Sequence, residues 1–599
     1  MNRTRSSIKY SIASSGFRTV WVVDFEYSTD PDGLPVPVCL AAREVLSGRR
    51  LRLWHDEMGA RPPYDVGPDS LFVCYSGGGA ELACHAVLHW PLPTNVIDLM
   101  TEFRRHICGK LDVHGVRIDK GLSMLKAAEV MQVGTPLDDV EKSAMRDLIV
   151  RGGPFDGAQR KAIQAYCAED VEAETGVLLA LDAEGLDLLR AQWRGEFTKA
   201  TARMWFRGVP IDPKYQVLAT DPALRQRLRE ALIDEIQADY PIYENSVLKS
   251  GLLGQWFTAN AIPIPLTAKS RRVSTSALRL GQIAQDHTEV APLVDALRTL
   301  SQLKEYHLPV GADGRLRAWF ATFLTITSRA APPTDEYIYN VPAWHRATMA
   351  PPEGMALAYI DWSAREFGLA AAMSHDPAML AFYQSGDPYT AAAIAGGAIP
   401  PGSTGRTHPA ERNLFKTGLL ACQYGIGVKT LAARLQTSEA YARTFLALHH
   451  RLFPRYWEWS DGVVRAAIQR GEIVSRHGWR YEVHPPFNIR RLRNWPIQTL
   501  GAEILRAACI YADAAGVEML ATAHDAVLLQ APIDAIDEQV ALMSDCMARA
   551  SSVLTGGFVL RADTDPRNVK RGGERFLEAR GASTLRVVDK FLDREARRG

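Results

Sequence analysis

Two short apolar runs, each carrying an aspartate, stand far apart in this chain, and much of the sequence between them reads as helix. MALAYIDWS places Asp361 at the end of a strand-like run, immediately before a helical pattern. LATAHDAVLLQAP sets Asp525 between two apolar runs, the pattern of a hairpin tip. If the runs are neighbours in one sheet, the helical block over 363–470 must hang from that sheet as an insertion. EIVSRHGWRYEV and EMLATAHDAVLLQAP, enclosing a helix near 496–515, complete the pattern. The C-terminal half is thus expected to be a small sheet with helices inserted into it.

The N-terminal half has a different texture. Residues 18–75 carry short β-branched runs (TVWVVDFEY, VPVCLAA, RLRLW, LFVCY) broken by Pro, Gly and Asp, with helical patterns following to about 195. From 196 to about 310 the text is Ala-, Leu- and Arg-rich at helical period, a helical connector; LRAWFATFLTIT beyond it reads as strand. At 599 residues the prior is about four structural units. With 47% apolar and 23% charged residues, disordered, collagenous and disulfide-scaffold classes are excluded. Lys plus Arg (69) nearly cancels Asp plus Glu (68), so any polyanionic partner must be met by local patches. Eight scattered cysteines without a CxxC pair read as buried thiols of a reducing compartment. No signal-peptide h-region and no run of 18 apolar residues occur, so an unanchored cytoplasmic protein is expected.

The chemistry is written in carboxylates. Asp24 and Glu26 alternate along the first strand and therefore leave the same face, a pair able to hold a divalent ion. AYCAEDVEAE adds Tyr166 and Asp170 at i and i+4, on one face of a helix. Three acids and a phenol suffice to bind a metal and orient a hydrolytic water. In the C-terminal half, Asp361 and Asp525 on neighbouring strands could share two Mg²⁺ ions about 3.5–4 Å apart, as phosphoryl-transfer enzymes do. Between them lies ERNLFKTGLLACQYGIG, whose Arg412 and Lys416 form one cationic helix edge suited to a triphosphate, with Tyr424 and Gly425 at its end.

These segments resemble A-family DNA polymerases. DYSQIELR, RxxxKxxxFxxxYG and HDE appear here as Asp361 to Glu366, Arg412 to Gly425, and His524-Asp525-Ala526. LTITSRAAPP resembles the TxTGR element, giving Arg329 as a minor-groove contact; YNVPAWHRA resembles the NxP segment, with Arg346 shortly after. RNWPIQTLGAEI resembles the RxxNxPxQG helix, giving Arg493, Asn494 and Gln498, with His524, as candidates for primer-template contact. The DxE strand and YxxxD helix resemble the DEDD-type 3′-to-5′ exonuclease module of that family. The resemblance makes Asp24, Glu26 and Asp170 metal ligands and Tyr166 a water-positioning group, with Glu81 in CYSGGGAEL as the fourth acid, one methylene longer than the family's Asp.

The resemblance implies an α/β and α+β multidomain protein: a ribonuclease H-like exonuclease domain over 1–195, a helical thumb over 196–314, palm over 315–385, fingers over 386–470, and palm plus tail over 471–599. It implies primer-template DNA and dNTPs as partners, two Mg²⁺ ions per site with Mn²⁺ as a substitute, a monomer, and replication accessory proteins. A chain starting directly at the exonuclease-like module leaves no room for a 5′ nuclease and suggests a phage-type enzyme. Three departures touch chemistry: Ala526 replaces a glutamate, Leu420 an aromatic residue over the incoming nucleotide, and Tyr389 a histidine near the phosphates. Glu366 stands where the family crowds the sugar 2′ position, favouring deoxynucleotides. Two rivals are a single-subunit RNA polymerase, which shares the palm, and a DNA-binding replication protein whose polymerase site has lapsed.

Overall fold

The structure is a computed structural model that describes residues 12–119, 121–134, 139–267, 271–284, 287–304, 308–319, 321–563, 565–578 and 581–597. The N-terminal sheet comprises β1 (Thr19–Thr29), β2 (Pro35–Glu44), β3 (Arg50–Trp54), β4 (Ser70–Cys74) and β5 (Asn95–Asp98). They lie in the order β3-β2-β1-β4-β5, antiparallel among the first three and parallel from β1 through β4 to β5. Strand alternation sorts β1 between two cores. Val20 and Val22 pack with Ile163, Cys167 and Val171 of the Gly157–Ala183 helix, while Trp21, Val23 and Phe25 join Tyr64, Leu82 and Trp90 on the other face. Asp156 caps that helix, accepting from the backbone of Ala158 and Gln159 while Gln159 returns a bond to its amide.

The Leu188–Arg207 helix crosses the position of the boundary expected at 195. It runs unbroken through that position, places Leu188 and Ala191 in the N-terminal core, and places Phe197, Ala200 and Met204 in the C-terminal one. Gly195 permits this, since a Cβ there would lie 1.9 Å from the Val96 carbonyl oxygen on β5. The connector after it is helical, with its own core around Leu232, Leu253, Phe257 and Leu293. For LRAWFATFLTIT the expectation of strand is corrected. Among its described residues only Leu316 belongs to a strand (Arg315–Leu316), and Phe323 within it and Ser328 just after it stand at φ of 58° and 60°, outside the extended region.

The second sheet holds β6 (Met355–Trp362), β7 (Glu518–Ala523), β8 (Ala526–Pro532), β9 (Ala562–Asp563) and β10 (Val569–Arg571). Its order is β7-β8-β6-β9, with β10 also paired to β6, all antiparallel. Ala356, Ala358, Ile360 and Trp362 of β6 enter the core shared with the Ile489–Ala514 and Ile536–Thr555 helices. Leu357 points to the opposite face, against Tyr337, Tyr339 and Trp344, and alternation puts Tyr359 and Asp361 on that face too. From 365 to 470 the chain is a run of helices, four of which begin with proline (Pro377, Pro388, Pro409, Pro454), where its missing amide costs nothing. All eight cysteines are buried and unpaired. Among the described residues no helix is long and apolar enough to cross a membrane.

Candidate functional site

Asp361 ends β6, and the β7–β8 hairpin turns beside it. Asp361 pairs with Ala526 in register, and the Trp362 amide donates to the Asp525 carbonyl at 3.4 Å, so the two aspartates are neighbours across adjacent strands. His524, at the tip, holds φ at 49°. Burial first, and then the Asp525 carboxylate, push Asp361 from 3.8 up to about 7, although Arg365 pulls the other way. Its Oδ1 is buried without a hydrogen-bond partner. Two facing carboxylates with an unsatisfied hard oxygen fit a divalent cation such as Mg²⁺.

The raised value fixes a sign for stability. A carboxyl that titrates near 7 when folded and near 3.8 when unfolded binds more protons in the folded state between those values. Stability therefore falls as pH rises through that window, and the whole cost stands above pH 7. At ~1.36 kcal/mol per unit it is at most about 4 kcal/mol. Without divalent cations, Asp361→Asn should therefore unfold at a higher temperature than wild type at pH 8, with the gap closing near pH 4. Identical melting at pH 8 would contradict the buried charge.

The Pro409–Gln423 helix buries Phe415, Gly418 and Leu419, and sends Arg412, Lys416 and the half-buried Leu420 outward at four-residue spacing. A Cβ at Gly418 would meet the Phe445 ring at 2.5 Å, so glycine lets this helix lie close on its neighbour. Arg412 donates to Asp387 Oδ2 at 2.6 Å, and Arg412 and Lys416 stand 5.6 and 5.9 Å from the Tyr389 ring centroid. Tyr389 is itself 4% exposed, so its ring carries these two cations. Tyr424 closes the helix ahead of Gly425 at φ 69°, and its phenol reaches Glu366 and accepts from Gln498 Nε2 at 3.4 Å. Burial raises that phenol's pKa, with the Glu366 charge adding to it. Asn494 Nδ2 donates to the Tyr424 carbonyl at 3.5 Å, and Arg329 Nη2 lies 3.5 Å from Glu366 Oε1. Glu366, Tyr424, Gln498, Asn494 and Arg329 thus form one connected cluster.

The remaining basic candidates separate. Arg329 and His524 share a cavity of about 280 Å³ with Tyr339, Asn340 and Arg506. Arg346 pairs with Glu578 and donates to the Tyr339 carbonyl at 3.2 Å, its guanidinium 5.5 Å from the Tyr339 ring. Arg493 passes beside Gly425, and its guanidinium donates to Ser460 at 2.9 Å, pairs with Asp461 and lies over Trp457.

A second group of acids lies in the N-terminal half. Asp24 and Glu26 leave β1 on its Val20/Val22 face, toward the helix that carries Tyr166 and Asp170. Burial, then Asp170, pushes Asp24 up to about 7; burial and Asp24 raise Glu26. Asp170 pairs with Lys142, whose ammonium lies 5.6 Å from the centre of the Tyr166 ring. Glu81 is no surface residue. It opens the Glu81–Val87 helix, is 2% exposed, and is raised by burial and by Asp24. Asp24 Oδ2 and Glu81 Oε2 are buried without partners, a donor set that again fits a hard divalent cation.

Residues 247–559, more than half of the chain, match the family model for DNA polymerase family A. The chain belongs to that family. The thermostable DNA polymerase I of Thermus thermophilus is 27% identical over 383 residues, 58% of this chain and 44% of that protein. DNA polymerase I of Deinococcus radiodurans is 26% identical over 475 residues, 74% of this chain and 47% of that protein. The chain thus spans about half the length of these relatives. The POL domain of Pol1 from M. smegmatis, solved in complex with DNA primer-template and dNTP, superposes with a TM-score of 0.66 over 92% of this chain and 95% of that one, at 18% identity, a likeness of fold.

Four further residues enter these sites to which the sequence reading gave no role. Glu174, one helical turn after Asp170, is 3% exposed with an unpartnered Oε2, and its spacing from Tyr166 and Asp170 was the available signal. Lys142 carried none, because only the fold brings its helix to Asp170. Asp563 on β9 pairs in register with Asp361 and adds to its raised pKa. Arg365 lies behind Asp525.

Proposed function

We propose that this chain is a template-directed DNA polymerase that extends a primer 3′ end with dNTPs and, in a ribonuclease H-like N-terminal unit, removes mispaired 3′ ends by 3′-to-5′ hydrolysis. The observation that carries the reading is the placement of Asp361 and Asp525 side by side on β6 and the β7–β8 tip, with the family motif helix bearing Arg412 and Lys416 inserted between them in the chain. Mg²⁺ held by Asp361 and Asp525, and by Asp24, Glu26, Glu81 and Asp170, would supply the Lewis-acid charge that phosphoryl transfer needs. The primer 3′-hydroxyl attacks the α-phosphorus and pyrophosphate leaves. Arg412 and Lys416 neutralise the triphosphate, Leu420 and Tyr424 pack the nascent base pair, and Glu366, braced by Tyr424 and Arg329, crowds the sugar 2′ position. Arg329 and His524, which line one cavity, and Asn494 and Gln498, which bond to Tyr424, are the primer-template contacts. Arg346 and Arg493 reach DNA only by exchanging their present partners.

The mixed order β3-β2-β1-β4-β5, with the acids on central β1, supports the N-terminal assignment. The thumb is proposed as the helical connector to 314, the palm as 315–385 with 471–599, and the fingers as 386–470. Primer extension in Mg²⁺ with dNTPs against rNTPs tests the function. Extension with dNTPs alone is expected, preference for rNTPs would favour an RNA polymerase, and no extension would favour a lapsed site. Glu366→Ala should raise rNTP use by roughly tenfold or more, because the discrimination is a clash that alanine removes. Unchanged rNTP use would take the sugar gate away from Glu366.

A further inference from the structure

Arg365 opens the helix that follows β6, after Ala364 at φ 49°. It is 3% exposed, and its guanidinium is divided among three places in two other elements. Nη1 donates to the Gly501 carbonyl on the Ile489–Ala514 helix at 3.2 Å, Nη2 donates to the His524 carbonyl at 3.4 Å, and Nε stands 3.6 Å from Asp525 Oδ2. Nε has no hydrogen-bond partner, so its link to Asp525 is an ion pair and not a hydrogen bond. The Trp362 ring, 5.8 Å from the guanidinium, lies alongside it.

Two features need such a group. His524 has a side chain in left-handed backbone space, a conformation that costs about 1–2 kcal/mol and persists only where its surroundings hold it. Its carbonyl is the one Arg365 takes. Asp361 and Asp525 also face each other as like charges, and a buried cation beside one of them offsets part of that repulsion.

We propose that Arg365 is a positioning residue, a fixed internal cation that holds the His524–Asp525 tip against Asp361 and competes with divalent cations for the Asp525 carboxylate. For its effect on turnover the proposal rests on the polymerase reading; the clamp and the competition rest on the geometry alone. A guanidinium near the carboxylate repels an arriving cation, yet the same guanidinium fixes where that carboxylate stands. Removing it should tighten cation binding and slow turnover together, a combination that simple loss of structure does not produce.

The test uses the full chain in an Asp24→Ala background, so that cation binding reports the C-terminal pair. Arg365→Met and Arg365→Lys are compared by Mn²⁺ titration followed by electron paramagnetic resonance, by steady-state primer extension in Mg²⁺, and by thermal unfolding. Arg365→Met is expected to bind Mn²⁺ about threefold or more tightly, while kcat falls about tenfold or more and the dNTP KM stays within about twofold. Arg365→Lys keeps the charge and loses the fork, so it should return Mn²⁺ affinity to the wild-type level and regain only part of kcat. Unchanged Mn²⁺ affinity in Arg365→Met would overturn the proposal, whether kcat is kept or falls in step with melting temperature. If Arg365→Met fails to fold, Arg365→Lys decides: wild-type kcat there would overturn it. If the unsubstituted protein extends no primer yet Arg365→Met still binds Mn²⁺ more tightly, the polymerase reading falls and the positioning role stands.

Discussion

Asp525→Asn should abolish primer extension and leave excision from a single-stranded 3′ end intact. The carboxamide keeps the shape of the side chain, and the tip's backbone link to β6, the Trp362 amide on the Asp525 carbonyl, is unaffected. What it removes is a negative charge and an anionic oxygen beside Asp361. Lewis-acid stabilisation of a phosphoryl transition state is worth several kcal/mol, and each ~1.4 kcal/mol is tenfold in rate. The expected loss is therefore about 10³-fold or more in kcat. Excision survives because Asp24, Glu26 and Asp170 belong to the other sheet and the helix packed on it. Gel-resolved extension of a labelled primer, with melting temperature as the folding control, makes the measurement. Extension within tenfold of wild type would remove Asp525 from the reaction.

Asp24→Ala should do the reverse, abolishing degradation of a labelled single-stranded 3′ end while primer extension continues at the wild-type rate. Asp24 stands on the central strand among Glu26, Glu81, Asp170 and Glu174, and burial, then the Asp170 charge, holds its carboxyl near 7. Losing it relieves repulsion without opening the core, because Val20 and Val22 carry the packing on that face. The fold is thus expected to stand while cation binding there collapses. Undiminished degradation would sink the N-terminal assignment, and parallel loss of extension would point to a shared structural defect.

How much was legible in the sequence follows from what each signal depends on. Asp24 and Glu26, and Tyr166 and Asp170, were readable because strand and helix periodicity alone assign a face. Asp361 and Asp525 were readable from apolar runs that end abruptly, and the register of β6 with β8 then sets them side by side. The failures lie where tertiary contact overrides local pattern. LRAWFATFLTIT has the β-branched content of a strand, but Phe323 stacks on Trp479 and Arg317 bonds to the Phe206 and Asp32 carbonyls, so this segment is shaped by its neighbours. The Leu188–Arg207 helix crosses position 195 and packs in both cores, and Gly195 lets it lie close on β5, which no composition shift reveals. Lys142, Asp563 and Arg365 acquire meaning only through elements distant in sequence.

The central claim is that Asp361 and Asp525 grip one pair of cations. Crystals of the protein with primer-template, a dNTP and Mn²⁺, read by anomalous scattering, test it most directly. Two peaks about 3.5–4 Å apart, each touching both carboxylates, are the predicted result. Peaks that leave either aspartate without a cation would contradict it.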